Sequence, residues 1–560
     1  MKRTKTNYKQ MKLIFLLSIV SIFSISVSAQ TAPTKNRMAE FNASYDSVSK
    51  LIPRNYGRSL DYAVMLYKDN QCEKADMILK VVTSNQVTDF ESGDYGLWAW
   101  GKAKDLTIGD KNVPLFHAHA MLVDLWDLQG KMSFDTRAAY LLSCKRLVQA
   151  AERRWDEEIF ELGRECVAYS NVFTMYVEVL TVASERFNDA RLKRMANTQW
   201  IRLYNHFKFY GIDEFLSSSY DDVIFKALFD IHNFALDERM KRESKEMMDY
   251  VYLQESAVNH PLLKLPVVGM GRDYRAFQKT GDVRVAFLKE SMPGYVPPKQ
   301  AEMINSNRTY PFEVVGKAGI WPFVFKSYQL KNAAMGSMSG GSYFWQQIHC
   351  IASVGKNENE RATLFLPGTY TPNNGYTNQI AGSTLCVYNR LPTMWHITQW
   401  RNDLSQVKET MCLFGVGISN NWKEKKITDE EIVLEAYGYE LHIFPFQLNL
   451  NKIEPFRLQL KQRTTTSSRY HSRPALFQEY EFPNGPEWFG VYIVMAESGK
   501  KVISPKFSYS KKDNNIIFLS GLGHEVKLGY TEQGIYKQIY PFNIDLLPKL
   551  RIESSNSKAQ

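Results

Sequence analysis

Gly211-Ile-Asp-Glu-Phe-Leu-Ser-Ser-Ser-Tyr220-Asp-Asp-Val-Ile-Phe-Lys-Ala-Leu228 joins the end of one helical pattern to the start of another. Val223, Ile224, Ala227, Leu228 and Ile231 recur at the spacing of one helix face, Asp221 and Asp222 suit a first turn, and the serines suit an N-cap. A helix is therefore expected to begin close to Tyr220, with Asp213, Glu214 and the tyrosine gathered at the junction. Further along, Gly269-Met-Gly271-Arg272-Asp273-Tyr274-Arg275 supplies a second cluster of glycine, arginine, acid and tyrosine past a helix end. Two helix-terminal polar clusters point to one shared cleft.

From Ser59 to Leu288 the pattern is helix after helix. Asp135 suits the cap of a segment running through Ala138, Leu141, Leu142 and Val148, Asn188 that of one with Leu192, Met195, Ala196 and Leu203 inward, and Asp237 that of one carrying Met240, Met247 and Val251. Short connections imply antiparallel hairpins, and their cadence predicts a ring of helical hairpins, an α/α toroid. Met292-Pro-Gly-Tyr-Val-Pro-Pro298 ends this pattern. Beyond it Tyr437, Tyr439, Leu441 and Ile443 share one face, and Phe507 and Tyr509 lead through Lys511–Asn515 into Ile516–Leu519 as a hairpin. The expectation is an α+β multidomain chain. Residues 30–291 form the N-terminal α/α toroid and 292–312 a linker; 313–553 form a C-terminal antiparallel β-sandwich of more than one layer, and 554–560 a polar tail.

Lys2, Arg3, Lys5, Lys9 and Lys12 precede an apolar run from Leu13 to Val27 and the small-residue site Val27-Ser28-Ala29. That is the pattern of a signal peptide over residues 1–29, which predicts a periplasmic or secreted chain. No cysteine stands at the cleavage point and no later stretch is long and apolar enough to span a bilayer, so no membrane anchor is expected. Loss of those five basic residues takes the formal charge from +10 to +5, a modest bias toward anionic ligands. The six cysteines contain no C-x-x-C and make no disulfide framework. No phosphate loop, H-E-x-x-H or calcium loop occurs, and Gly336-Ser-Met-Ser-Gly340 places Met338 where a hydrolase nucleophile belongs. Neither a cofactor, a metal nor a nucleic-acid partner is expected.

Glu214-Phe-Leu-Ser-Ser-Ser-Tyr220 is similar to an E-F-x-S-x-x-Y string of toroid proteins, and Gly271-Arg-Asp-Tyr274 resembles an S-R-D-Y string downstream of it. With the domain order, these resemble the toroid-plus-sandwich carbohydrate-active enzymes, the superfamily that includes heparinase II/III and the alginate and chondroitin lyases. The resemblance implies an exported enzyme acting on an anionic, uronic-acid-containing polysaccharide or oligosaccharide, by β-elimination. The asparagine, histidine, tyrosine and arginine pattern of no single lyase family aligns along the chain, so reaction type stays open.

Elimination needs the sugar carboxylate neutralised, a base for the proton beside it, and an acid for the departing oxygen. Tyr274, flanked by Arg272 and Arg275 that favour its phenolate, is the first candidate for proton transfer; otherwise it packs while Arg272 pairs with Asp273. Tyr220 is the second, its position before a helix start exposing it to a cleft, although most of thirty-one tyrosines must be structural. His349 suits a base or a carboxylate ligand, against the competing reading of a core histidine. Asn171 can bind a carboxylate or serve local backbone hydrogen bonds. In His117-Ala-His119 the side chains point apart on a helix, so His117 is a candidate to line the cleft and not a metal ligand. Arg469 and Arg473 offer a basic loop for an anionic chain, or a solvated turn. A hydrolase of the exo-glucuronidase type would use paired carboxylates, Glu214 and Asp273, while Asp221 and Asp222 also suit the helix dipole alone; Asp222 is kept as a binding candidate. A non-catalytic glycan-binding protein is the third reading.

Overall fold

A computed structural model describes residues 34–52, 56–99, 111–155, 167–217, 220–235, 237–271, 292–320, 322–339, 347–366, 374–389, 413–419, 421–449, 452–455, 475–481, 488–530 and 536–554. Arg272, Asp273, Tyr274, Arg275, Arg469, Arg473 and the signal segment lie outside the described residues. The chain is α+β, with ten α-helices among the described residues followed by antiparallel sheets. By internal contact it divides into two units. One comprises 1–205, 223–248 and 287–295; the other comprises 206–222, 249–286 and 296–560.

The helices are α1 (Thr34–Ser44), α2 (Tyr56–Lys68), α3 (Cys72–Ser84), α4 (Val113–Ala118), α5 (Phe134–Arg154), α6 (Ser170–Arg186), α7 (Ala190–Tyr210), α8 (Asp221–Phe234), α9 (Glu238–Val258) and α10 (Lys299–Ser306). In the first unit α2 and α3 form a hairpin turned at Asn70, whose φ of 60° an asparagine tolerates. There α3 packs on α5, α4 on α5 and α6, and α5 on α6. Every residue of α6 from Ser170 to Ala183 is buried, as expected of a helix enclosed on all sides.

Helix α8 begins at Asp221, beside Tyr220, and Asp237 Oδ1 accepts the Arg239 N–H (2.8 Å) to open α9, both as the sequence predicts. Two caps differ. Ser133, not Asp135, holds the N-cap position of α5. Asp189, not Asn188, caps α7, accepting the N–H groups of Arg191 (2.8 Å) and Leu192 (3.2 Å). Along α5 Ala138 and Leu142 are exposed while Tyr140, Cys144, Leu147 and Ala151 are buried. The aromatic ring at 140 sets the phase, which the smaller apolar residues do not follow.

In the second unit an eight-stranded antiparallel sheet runs edge to edge through Ala475–Glu481, Leu413–Ser419, Arg361–Leu366, Cys350–Gly355, Ala333–Met338, Phe323–Gln329, Phe312–Ala318 and Arg551–Ser554. A seven-stranded sheet centres on Tyr439–Asn449 and Trp488–Glu497, and a four-stranded one comprises Ser508–Lys512, Asn515–Leu519, Glu525–Tyr530 and Tyr536–Ile539. Leu441 and Ile443 pack with Met335 and Leu364 between the first two sheets. On the opposite face of the same strand Phe444 and Phe446 pack with Ile516 and Phe518 of the third. Alternation with period two thus builds three stacked sheets. The hairpin predicted around residue 513 is present, with Lys512 opposite Asn515. Cys72, Cys144, Cys350 and Cys386 are free thiols.

Candidate active site

Helix α7 ends on Gly211, whose N–H returns to Phe207 O (3.0 Å) with φ of 77°, a left-handed stop that glycine adopts without strain. The chain then buries one polar group after another: Asp213, Glu214, Ser217, Tyr220 and Asp221. Buried polar groups need partners. Asp213 has at least two, its Oδ1 accepting the Ile320 N–H (2.7 Å) and its Oδ2 meeting His206 Nε2 (2.5 Å). His206 lies on the last turn of α7, so the pair fastens the helix end to the turn at Gly319 and Ile320. Leu216 sits at φ of 49°, an unfavourable conformation for a side chain of that size, held by burial in an apolar cluster. Ser217 Oγ accepts the Tyr220 N–H (3.3 Å) and Ser217 O accepts the Asp221 N–H (3.1 Å), which is the serine cap expected before α8.

After α9 the chain makes the short hairpin Asn259–His260 with Leu265–Pro266 and runs along the eight-stranded sheet. Gly269 is there because a Cβ would lie 2.2 Å from Met338 Cβ. Gly271 donates its N–H to Phe215 O (2.9 Å), and a Cβ on it would stand 3.0 Å from Asp213 O. Met270 and Ile348 exchange backbone hydrogen bonds of 2.8 and 3.0 Å. Segments 213–217, 269–271 and 347–349 therefore adjoin one another in the second unit, and the glycine end of the second cluster meets the first at Phe215 and Gly271, while Arg272–Arg275 lie outside the described residues.

His349 is fully buried, its ring edge-on to Tyr388 (5.4 Å) and against Gly375. Burial drives its pKa down to about 3, so the imidazole is neutral. Nε2 lies 2.9 Å from Gln347 Oε1 and 3.2 Å from the Gly375 N–H, and Nδ1 has no hydrogen-bond partner among the described residues. A proton on Nε2, given to Gln347, leaves Nδ1 as a free base; the Gly375 N–H favours the other tautomer. Tyr220, expected to be exposed to a cleft, is buried at 5% exposure, and Asp222 is half-buried.

In the first unit Asn171 is fully buried on the face of α6 that also carries Thr174 and Glu178. His117 is buried against Trp98 (5.4 Å), with its pKa driven down to about 4 by burial. As the helical spacing predicts, His119 turns elsewhere, to Asp230. Among the described residues one group, His119, Glu178 and Asp230, could hold a metal ion. Burial and the neighbouring Asp230 raise the Glu178 carboxyl well above the usual carboxylate range. His206, Glu178 and Asp230 were missed from sequence, and His119 was weighed only with His117 and set aside as a metal ligand; a further signal was Glu178, a lone charge in the apolar run Val172–Ala183.

No protein-family model matches the sequence, nor does any curated protein. Among solved structures, the chain is similar to a heparan sulfate lyase mutant from Pedobacter heparinus, with 11% identity over 86% of this chain and 81% of that one, at a TM-score of 0.34. It is similar to a Streptomyces coelicolor chondroitin AC lyase in complex with chondroitin sulphate (8%; 91% and 86%; TM-score 0.44). A chondroitin lyase that is a baculovirus envelope protein also matches (10%; 89% and 89%; TM-score 0.27). These are likenesses to lyases at low TM-score, and the chemistry proposed for this chain rests on its own residues.

Proposed function

We propose that the chain is an exported polysaccharide lyase that cuts a uronic-acid-containing glycan by β-elimination, its helical half arranged as an α/α toroid. The observation that carries this is the pair of backbone links, Gly271 to Phe215 and Met270 to Ile348, which make neighbours of the Tyr220 segment, the root of the Arg272–Arg275 run, and His349. In the proposed reaction Arg272 and Arg275 neutralise the sugar carboxylate, which acidifies the proton beside it. His349 takes that proton. Its neutral form is the base form. Tyr220 gives a proton to the departing oxygen, a task a phenol performs without a depressed pKa.

The signal segment and the absence, among the described residues, of any helix long and apolar enough to cross a membrane support export without a spanning anchor. Digestion in water enriched in oxygen-18 tests elimination against hydrolysis. Elimination breaks the bond without adding water, so the products are expected to carry no label; one labelled oxygen for each bond cut would mean hydrolysis.

A further inference from the structure

Helix α4 continues into a π-helical turn, His119–Asp124, a local widening that recurs at functional sites. This turn aims His119 toward Glu178 of α6 and Asp230 of α8. One ligand atom from each of the three lies within 4.8 Å of the others. Glu178 is 4% and Asp230 2% exposed. Two carboxylates withdrawn from water at one point demand compensation by protons, donors or a cation. Lys226, on the preceding turn of α8, acts on Glu178 electrostatically, and Lys68 is committed to Asp124 (3.4 Å). None of these residues takes part in the elimination proposed above.

We propose that His119, Glu178 and Asp230 bind a divalent transition-metal ion, with Asp124 holding the imidazole in place. One imidazole nitrogen and two carboxylates form the mixed nitrogen and oxygen donor set that suits Zn²⁺ or Mn²⁺, with water completing the shell. The imidazole is oriented for it: Nδ1 faces Asp230 while Nε2 faces Asp124 at 3.5 Å. A carboxylate on the far nitrogen fixes the tautomer that offers the near one to a metal. The side chains of His119 and Asp124 keep 23% and 32% of their exposure, which leaves the ion a way in from solvent. Bound there, it ties the π-helical turn, α6 and α8 together. Glu178 follows Asn171 by seven residues on α6, so the ion would brace the helix that carries Asn171.

The mature chain, stripped with chelator and dialysed, is titrated calorimetrically with ZnCl₂ and with MnCl₂, and its melting temperature is followed in parallel. Saturable uptake of one ion per chain with a rise in melting temperature is expected. His119→Asn or Glu178→Gln should abolish both, and Asp124→Asn should weaken binding by ~10–100-fold. The wild-type titration decides even if a variant fails to fold: no saturable binding of either ion overturns the site. Binding that survives both His119→Asn and Glu178→Gln overturns it as well, since the ion then lies elsewhere.

Discussion

Asp213 shows how a single buried carboxylate can tie a helix end to a distant turn. It joins His206 on a helix end to the Ile320 N–H, and Glu214 through Tyr220 follow from that anchor. Asp213→Ala should cost about 3–5 kcal/mol in denaturant unfolding, because His206 and the Ile320 amide are left buried without a partner. A companion His206→Leu change should recover part of the loss; full stability in the single variant would mean that the pair anchors nothing. Tyr220 is the residue asked to do chemistry. Tyr220→Phe keeps the ring and its packing and removes the titratable group, so turnover should fall by ~10²-fold or more while the melting temperature holds. Unchanged turnover would pass the role to Tyr274, where Tyr274→Phe is the matching experiment. That Tyr220 is buried was not legible in the sequence, because a position before a helix start says nothing of what later segments cover it.

At the scale of elements, the legible features were those carried by local rules. The starts of α8 and α9 and the hairpin closing at Lys512 and Asn515 follow from caps and turn residues alone. The approach of Gly269–Gly271 to the Asp213 segment was hinted at for a similar reason, since both stretches follow helix ends and both carry glycines; Arg272–Arg275 lie outside the described residues. Gly269 and Gly271 are where that approach is enforced. With Met338 Cβ 2.2 Å from the added atom, Gly269→Ala should destabilise the protein by ~1–3 kcal/mol or more in denaturant unfolding. Gly271→Ala, at 3.0 Å from Asp213 O, should be milder for stability and show mainly as reduced turnover; a wild-type profile for both would mean the close approach is not needed. What local rules could not supply was the phase of α5, set by packing of Tyr140, and the joining of His119 to Asp230, 111 residues apart.

Across the whole molecule, burial of neutral histidines ties stability to pH. His349, His260 and His117, from an ordinary value of 6.5, are driven by burial to about 3, about 4 and about 4. Because the folded values are depressed, the unfolded chain binds more protons between them and 6.5. Their contribution is therefore complete above pH 6.5 and is lost as pH falls below it. Between pH 7 and pH 5 the three should lower unfolding free energy by up to about 6 kcal/mol, and His349→Gln should remove roughly a third of the dependence. Equal stability at the two pH values would show that these rings take up protons without unfolding.

The central claim is elimination, and its product has a signature that no hydrolysis shares. Incubated with uronate polysaccharides, the mature chain should generate the ultraviolet absorbance of a 4,5-unsaturated uronate, rising in step with new reducing ends. Reducing ends released with no such absorbance would contradict a lyase and return Glu214 and Asp273 to the centre of the chemistry.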